Sequence, residues 1–147
     1  MQRLKTRATM LDDIFKFIKL LKLEISFTGA DVNNLIKNVS EEKIIRKLDF
    51  LNLFLKETSI DRSFSDSWKK CVSNSCLPLR KHERNKLAEI GNFLGTTDLE
   101  SQLSMLTMYE EYFKNYSKEA QNEMKKSGQV SFLLGVVLGF AVFILVL

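Results

Sequence analysis

The chain has 147 residues, with 22 Lys and Arg against 18 Asp and Glu, one His, two Cys and one Pro. Apart from an apolar C-terminal tail, this length admits one compact domain and not two. A net charge of +4, spread along the chain without interleaved aromatics, argues against nucleic-acid binding.

With one proline and six glycines, and Leu, Ile and Phe recurring at helical spacing, the pattern predicts an all-α domain. The first helix is expected over residues 9–27, with Leu11, Ile14, Phe15, Ile18, Leu21 and Ile25 as its apolar stripe. Phe17, Leu20 and Leu23 widen that stripe, which makes this helix central, and Gly29 ends it. A short helix over 31–39 follows, capped by Thr28 or Asp31.

Ser40 is expected to cap a third helix, with Glu41 and Glu42 in its first turn. Its buried side would be Ile44, Ile45, Leu48, Leu51, Phe54 and Leu55. A polar stretch, 57–63, separates it from a fourth helix capped by Ser65 and carrying Trp68, Cys71 and Val72. Pro78 breaks the chain, and a fifth helix over 79–94 presents Leu87, Ile90 and Phe93 or Leu94 to the core before stopping at Gly95.

Thr97 or Asp98 opens the last helix, Thr97 and Glu100 having capping-box spacing. Leu99, Leu103, Leu106, Phe113, Ala120 and Met124 form its stripe, with Tyr109 and Tyr116 beside it. No breaker follows before the tail, so this helix is expected to run straight into it.

Residues 130–147 carry no charge and one polar side chain, Ser131. As an α-helix they span about 27 Å, close to the ~30 Å hydrocarbon core of a bilayer. This is a transmembrane helix by length and composition, dividing the chain into a helical bundle (1–127) and an anchor (128–147). Lys125 and Lys126 precede it, with Lys114 and Lys118 further back, so the bundle is expected on the cytosolic side. Gly135 and Gly139 form a G-x-x-x-G step, a candidate for packing two membrane helices together. Arg3, Lys5 and Arg7 read as a basic patch meeting anionic lipid, whereas Lys16, Lys19 and Lys22 read as a solvated face.

Nothing in the pattern supplies chemistry. His82, the one histidine, sits among Arg80, Lys81, Glu83 and Arg84 in what reads as a solvated run. Asp12–Asp13, Glu41–Glu42 and Glu110–Glu111 are sequence neighbours, which point apart on a helix. Neither a phosphate-binding loop nor a dinucleotide fingerprint occurs. Cys71, Cys76 and His82 are too few for a four-ligand zinc site, so the two cysteines read as reduced thiols with at least one buried. No catalytic residue, cofactor or metal is expected.

Trp68, Leu87, Ile90-Gly91, Leu94-Gly95, Asp98 and Gln102, then a long charged helix and an apolar tail, occur in an order that resembles the stage III sporulation protein AB family of endospore-forming bacteria. Leu21, Leu23, Glu24 and Ile25, followed by the short helix after Gly29, resemble its N-terminal part. Ile90 stands where leucine is more usual. Family members also start with a further membrane span; Arg3, Lys5 and Arg7 are the charges expected just inside such a span, which would lie outside this sequence.

The resemblance implies a small antiparallel bundle of about five to six helices, similar to the cytosolic domain of type II secretion F and pilus platform proteins. It implies a non-enzymatic scaffold of the channel complex in the mother-cell membrane around the forespore. The implied partners are the stage III sporulation AA ATPase, other channel components and the lipid bilayer. Lys16, Lys19, Lys22 and the 81–86 run are candidates for the ATPase-facing surface, and an oligomer is compatible with all of this. A tail-anchored adaptor or regulator unrelated to secretion is the alternative. For the residues that carry the resemblance, a structural role is expected. Gly91 and Gly95 lie four apart on one helical face for close packing, Trp68 anchors the core, and Asp98 caps a helix. Gln102 fixes a hydrogen bond or faces water.

Overall fold

The computed structural model describes residues 1–29, 31–40, 47–57 and 63–146. Among them are six α-helices and no strand: α1 (Gln2–Thr28), α2 (Val32–Ser40), α3 (Asp49–Lys56), α4 (Phe64–Asn74), α5 (Lys81–Glu89) and α6 (Leu99–Val146). A single 3₁₀ turn, Ile90–Asn92, follows α5. The all-α expectation holds, and so does the small bundle with one long apolar C-terminal helix.

The backbone of the molecule is the pairing of α1 with α6. Leu11, Ile14, Ile18, Leu21 and Ile25, one turn apart along α1, are all buried. The facing stripe of α6 is Leu106, Tyr109, Phe113, Ser117 and Ala120. Arg7 bonds Glu123 while Lys22 bonds Glu110, so the two helices run antiparallel. Gly29 stops α1 in the left-handed conformation, φ 53°, with its amide bonded to the Ile25 carbonyl at 3.3 Å. A β-carbon there would be strained, which is why glycine stands at this turn.

Several boundaries differ from the sequence reading. Helix α1 starts at Gln2 and not near residue 9, because Arg7 and Ala8 are buried by tertiary contacts that local propensity does not register. Within its stripe Phe17 is fully buried and Phe15 only partly. Ser40 is the last residue of α2, not the cap of the next helix. Glu41, Glu42, Ile44 and Ile45 lie outside the described residues. In α3 the buried side is Phe50, Leu51 and Phe54; Leu55 falls off that stripe and is 41% exposed. Helix α4 is capped by Ser63 rather than Ser65: Ser63 Oγ accepts from the Asp66 amide at 3.2 Å. The earlier start brings Phe64 onto Trp68. Leu99 borders an open groove past the end of α1 and is 48% exposed.

Helix α6 runs unbroken for 48 residues, about 72 Å. Its first part packs on the bundle. From Gln129 onward every described side chain is exposed, apolar ones included. It is the one described helix long and apolar enough to cross a membrane, and that segment has no protein packed on it.

Candidate functional site

The residues that stand out in the sequence gather at two places. The first is the junction of α4, α5 and the turn into α6. Trp68 is fully buried and packs against Phe17 of α1, Phe50 and Phe54 of α3 and Phe64 of α4, with ring centroids 5.1–6.2 Å away. Its indole N–H donates to the Leu87 carbonyl at 2.9 Å. That carbonyl belongs to the last turn of α5, where helices run out of internal donors, so the indole serves as a cap from across the core. Leu87 itself is fully buried.

Gly91 lies under the same ring. A β-carbon on it would stand 2.7 Å from Trp68 Cδ1 and 2.9 Å from Cγ, closer than atoms tolerate. Gly95 does different work. It is not on one helical face with Gly91, because α5 has already ended and residues 93–96 turn. Its φ of 76° reverses the chain, and a β-carbon there would sit 3.0 Å from Val32 Cγ2 of α2. Leu94, between them, is fully buried.

Asp98 and Gln102 complete the turn. Asp98 Oδ1 accepts from the Ser101 amide at 2.9 Å and Oδ2 from the Ser101 hydroxyl at 2.6 Å, capping α6. Those donors hold its carboxyl below the ordinary aspartate range. The Gln102 amide bridges the turn: Oε1 accepts from the Gly95 amide at 3.3 Å and Nε2 donates to the Thr97 carbonyl at 2.7 Å. Thr97 has no part in a capping box, since its hydroxyl bonds back to the Phe93 carbonyl. Each of these groups is occupied in holding α5, α6 and the Trp68 cluster in register.

The second place is an ionic cluster between α1, α5 and α6, near the start of the apolar segment. Arg7 grips Glu83 with two guanidinium nitrogens and reaches Glu123 with a third at 3.0 Å. Glu83 is fully buried and also accepts from the Arg80 amide at 2.7 Å, and Arg80 donates to Glu123 at 2.8 Å. The bond to Glu83 raises the Arg7 pKa above its ordinary value, and that from Arg80 holds Glu123 below the usual range. Arg84 donates to the carbonyls of Val72, Ser75 and Leu77, tying the Pro78 loop to α5.

The 80–84 run is therefore not simply a solvated one, although His82 is exposed. No periodicity could have joined Arg7 to a carboxylate 76 positions away. The one local hint was a glutamate three residues into α5, where a side chain can reach back to the amide that precedes the helix.

Among the described residues the other groups offer no reactive arrangement. Cys71 is buried, which pushes its thiol pKa up, and Cys76 is exposed; both are free. Asp13 is buried with one carboxylate oxygen unpartnered, and burial raises its pKa. Among the described residues no group of three or more His, Cys, Asp or Glu is placed to hold a metal. Of the lysines weighed as a partner surface, Lys16 is paired with Asp12, Lys22 with Glu110 and Lys86 with Glu89, while Lys19 and Lys81 point to solvent. No β-carbon on Gly135 or Gly139 would meet anything within 4 Å.

A family model described as stage III sporulation protein AB matches residues 1–147. A solved structure titled "Stage III sporulation protein AB (SpoIIIAB)" superposes with a TM-score of 0.66 at 16% identity, covering 82% of this chain and 98% of that one. At that identity the likeness speaks for the fold. No curated protein matches.

Proposed function

The chain belongs to the stage III sporulation protein AB family, and from that premise we propose that it is a membrane-anchored scaffold of the sporulation channel complex. It is a sporulation-related protein of helical architecture, with one candidate membrane-spanning helix among its described residues. In this reading residues 128–147 are the anchor, and residues 1–127 are a cytosolic bundle at the mother-cell membrane around the forespore. The bundle seats the AA ATPase and other channel components and performs no catalysis of its own. Trp68, Leu87, Gly91, Leu94, Gly95, Asp98 and Gln102 serve the scaffold's rigidity, and Gly135 with Gly139 pack membrane helices together.

The observation that carries the reading is the family match over residues 1–147. The unbroken α6 supports it mechanically: a helix continuous from Leu99 to Val146 leaves no slack linker between dock and anchor. A load exerted by a motor on the bundle would be borne by the bilayer. The expected result is co-purification of the AA ATPase with the full chain from mild-detergent extracts of sporulating cells. Intact recovery of the chain without the ATPase contradicts the docking role.

A further inference from the structure

Where the bundle meets the apolar segment, a groove of about 810 Å³ opens between the N-terminal turn of α1 and the Pro78 loop. Its charged lining is Arg3, Arg7 and Arg80, with Thr6 beside them and the half-buried Pro78 and Leu79 as an apolar wall. No carboxylate among the described residues lines it. The acids that neutralise Arg7 and Arg80 (Glu83, Glu123 and, 3.8 Å from Arg80, Glu119) do so from outside the groove's lining and hold the two guanidiniums in place. Arg3 has no ion pair among the described residues and is exposed.

The depth of this groove decides what can reach it. Met1 lies against Gly128, its Cε 3.4 Å from where a β-carbon would stand, and Arg7 lies abreast of Glu123. At 1.5 Å per residue, Arg3 is about 5 Å and Arg7 about 10 Å outside the apolar segment that begins at Val130. The headgroup layer of one leaflet is about 5–8 Å thick. Seated this way, Arg3 falls within the headgroup layer, and Arg7 with Arg80 a few ångströms beyond it on the aqueous side. Lys125 and Lys126, both exposed, stand at the same level on α6.

We propose that this groove is a binding site for the headgroup of an anionic phospholipid. Arg3, the exposed guanidinium of the groove with no carboxylate partner among the described residues, is the group that grips phosphate oxygens, its planar fork matching two of them at once. The Pro78–Leu79 wall bounds the groove on its apolar side. The site orients the bundle on the membrane surface, fixing its rotation about α6, which the anchor alone leaves free. This inference rests on the seating of α6 in a bilayer and not on the motor-docking role, so either can fail without the other.

The test uses the full chain in neutral detergent, with lipid retention read by native mass spectrometry. Dioleoylphosphatidylglycerol is expected to be retained as one bound molecule, in preference to dioleoylphosphatidylcholine by about tenfold. Arg3→Gln, at an exposed side chain that holds nothing else together, is expected to weaken that affinity about fivefold. Lys69→Gln, an equal charge change on exposed α4, leaves it unchanged. Equal retention of the two lipids overturns the site, as does an unaltered affinity in Arg3→Gln. Displacement of the lipid by millimolar inorganic phosphate would mark a free-anion site and equally refute a lipid one.

Discussion

Gly91→Ala is expected to destabilise the bundle by about 1–3 kcal/mol, the usual cost of forcing extra volume into a packed core. The added methyl would stand 2.7 Å from Trp68 Cδ1. The ring has no room to retreat, being closed in by Phe17, Phe50, Phe54 and Phe64. Trp68→Ala is expected to cost more, about 3–5 kcal/mol, because it empties the centre of that cluster and leaves the Leu87 carbonyl without its donor. The two positions share one contact, so their effects should not add: in a Trp68→Ala background the methyl of Gly91→Ala enters vacated space and costs little. Denaturant unfolding of the full chain in detergent, followed by helical circular dichroism, measures all four corners of the cycle. Additive losses would show that the ring and the glycine do not bear on each other.

Glu83→Ala is the second large effect, expected at about 3–5 kcal/mol, since it strands the buried Arg7 guanidinium without its main partner. Replacing both groups with apolar side chains, Arg7→Met with Glu83→Leu, should recover most of that loss, as the removal of a whole buried pair often costs little. Recovery in the double variant is the informative result. A double variant as unstable as the sum of the singles would mean that each group acts through different partners. The pH dependence has a definite sign on the Glu123 side of the cluster. Its carboxyl is held below the ordinary value by Arg80, so its contribution is fully present above the unfolded glutamate pKa and is lost as pH falls through the folded one. The cluster should therefore loosen in acid and not in mild alkali.

The helices of this protein were legible where a single physical cause sufficed. Leu11, Ile14, Ile18, Leu21 and Ile25 repeat at the helical period, and all five are buried. Gly29 stops α1 and Gly95 turns the chain, both by a left-handed backbone. The run of α6 into the apolar tail followed from the absence of any breaker. What failed did so for tertiary reasons. The first turns of α1 look like a charged arm until Arg7 meets Glu83, a pairing that no local pattern encodes. Gly91 and Gly95 share helical spacing, yet a 3₁₀ turn intervenes and gives them separate neighbours, Trp68 and Val32. At Ser63 and Ser65 two equal capping residues competed, and the earlier one caps the helix, with the partly buried Phe64 stacked on Trp68.

The order Trp68, Gly91, Gly95, Asp98, Gln102 carried the family resemblance, and the geometry gives that order a physical reading. The ring needs a glycine beneath it, the chain must then reverse, and the new helix must be capped and its turn clamped. Together these contacts fix the turn from which α6 starts.

Sodium carbonate extraction of membranes from cells making the full chain addresses the anchor most directly. A chain threaded through the bilayer by α6 stays in the alkaline pellet, and a Leu134→Arg, Leu138→Arg variant moves to the supernatant because two charges at mid-membrane outweigh the apolar gain. Release of the unaltered chain at alkaline pH would contradict the anchored scaffold altogether.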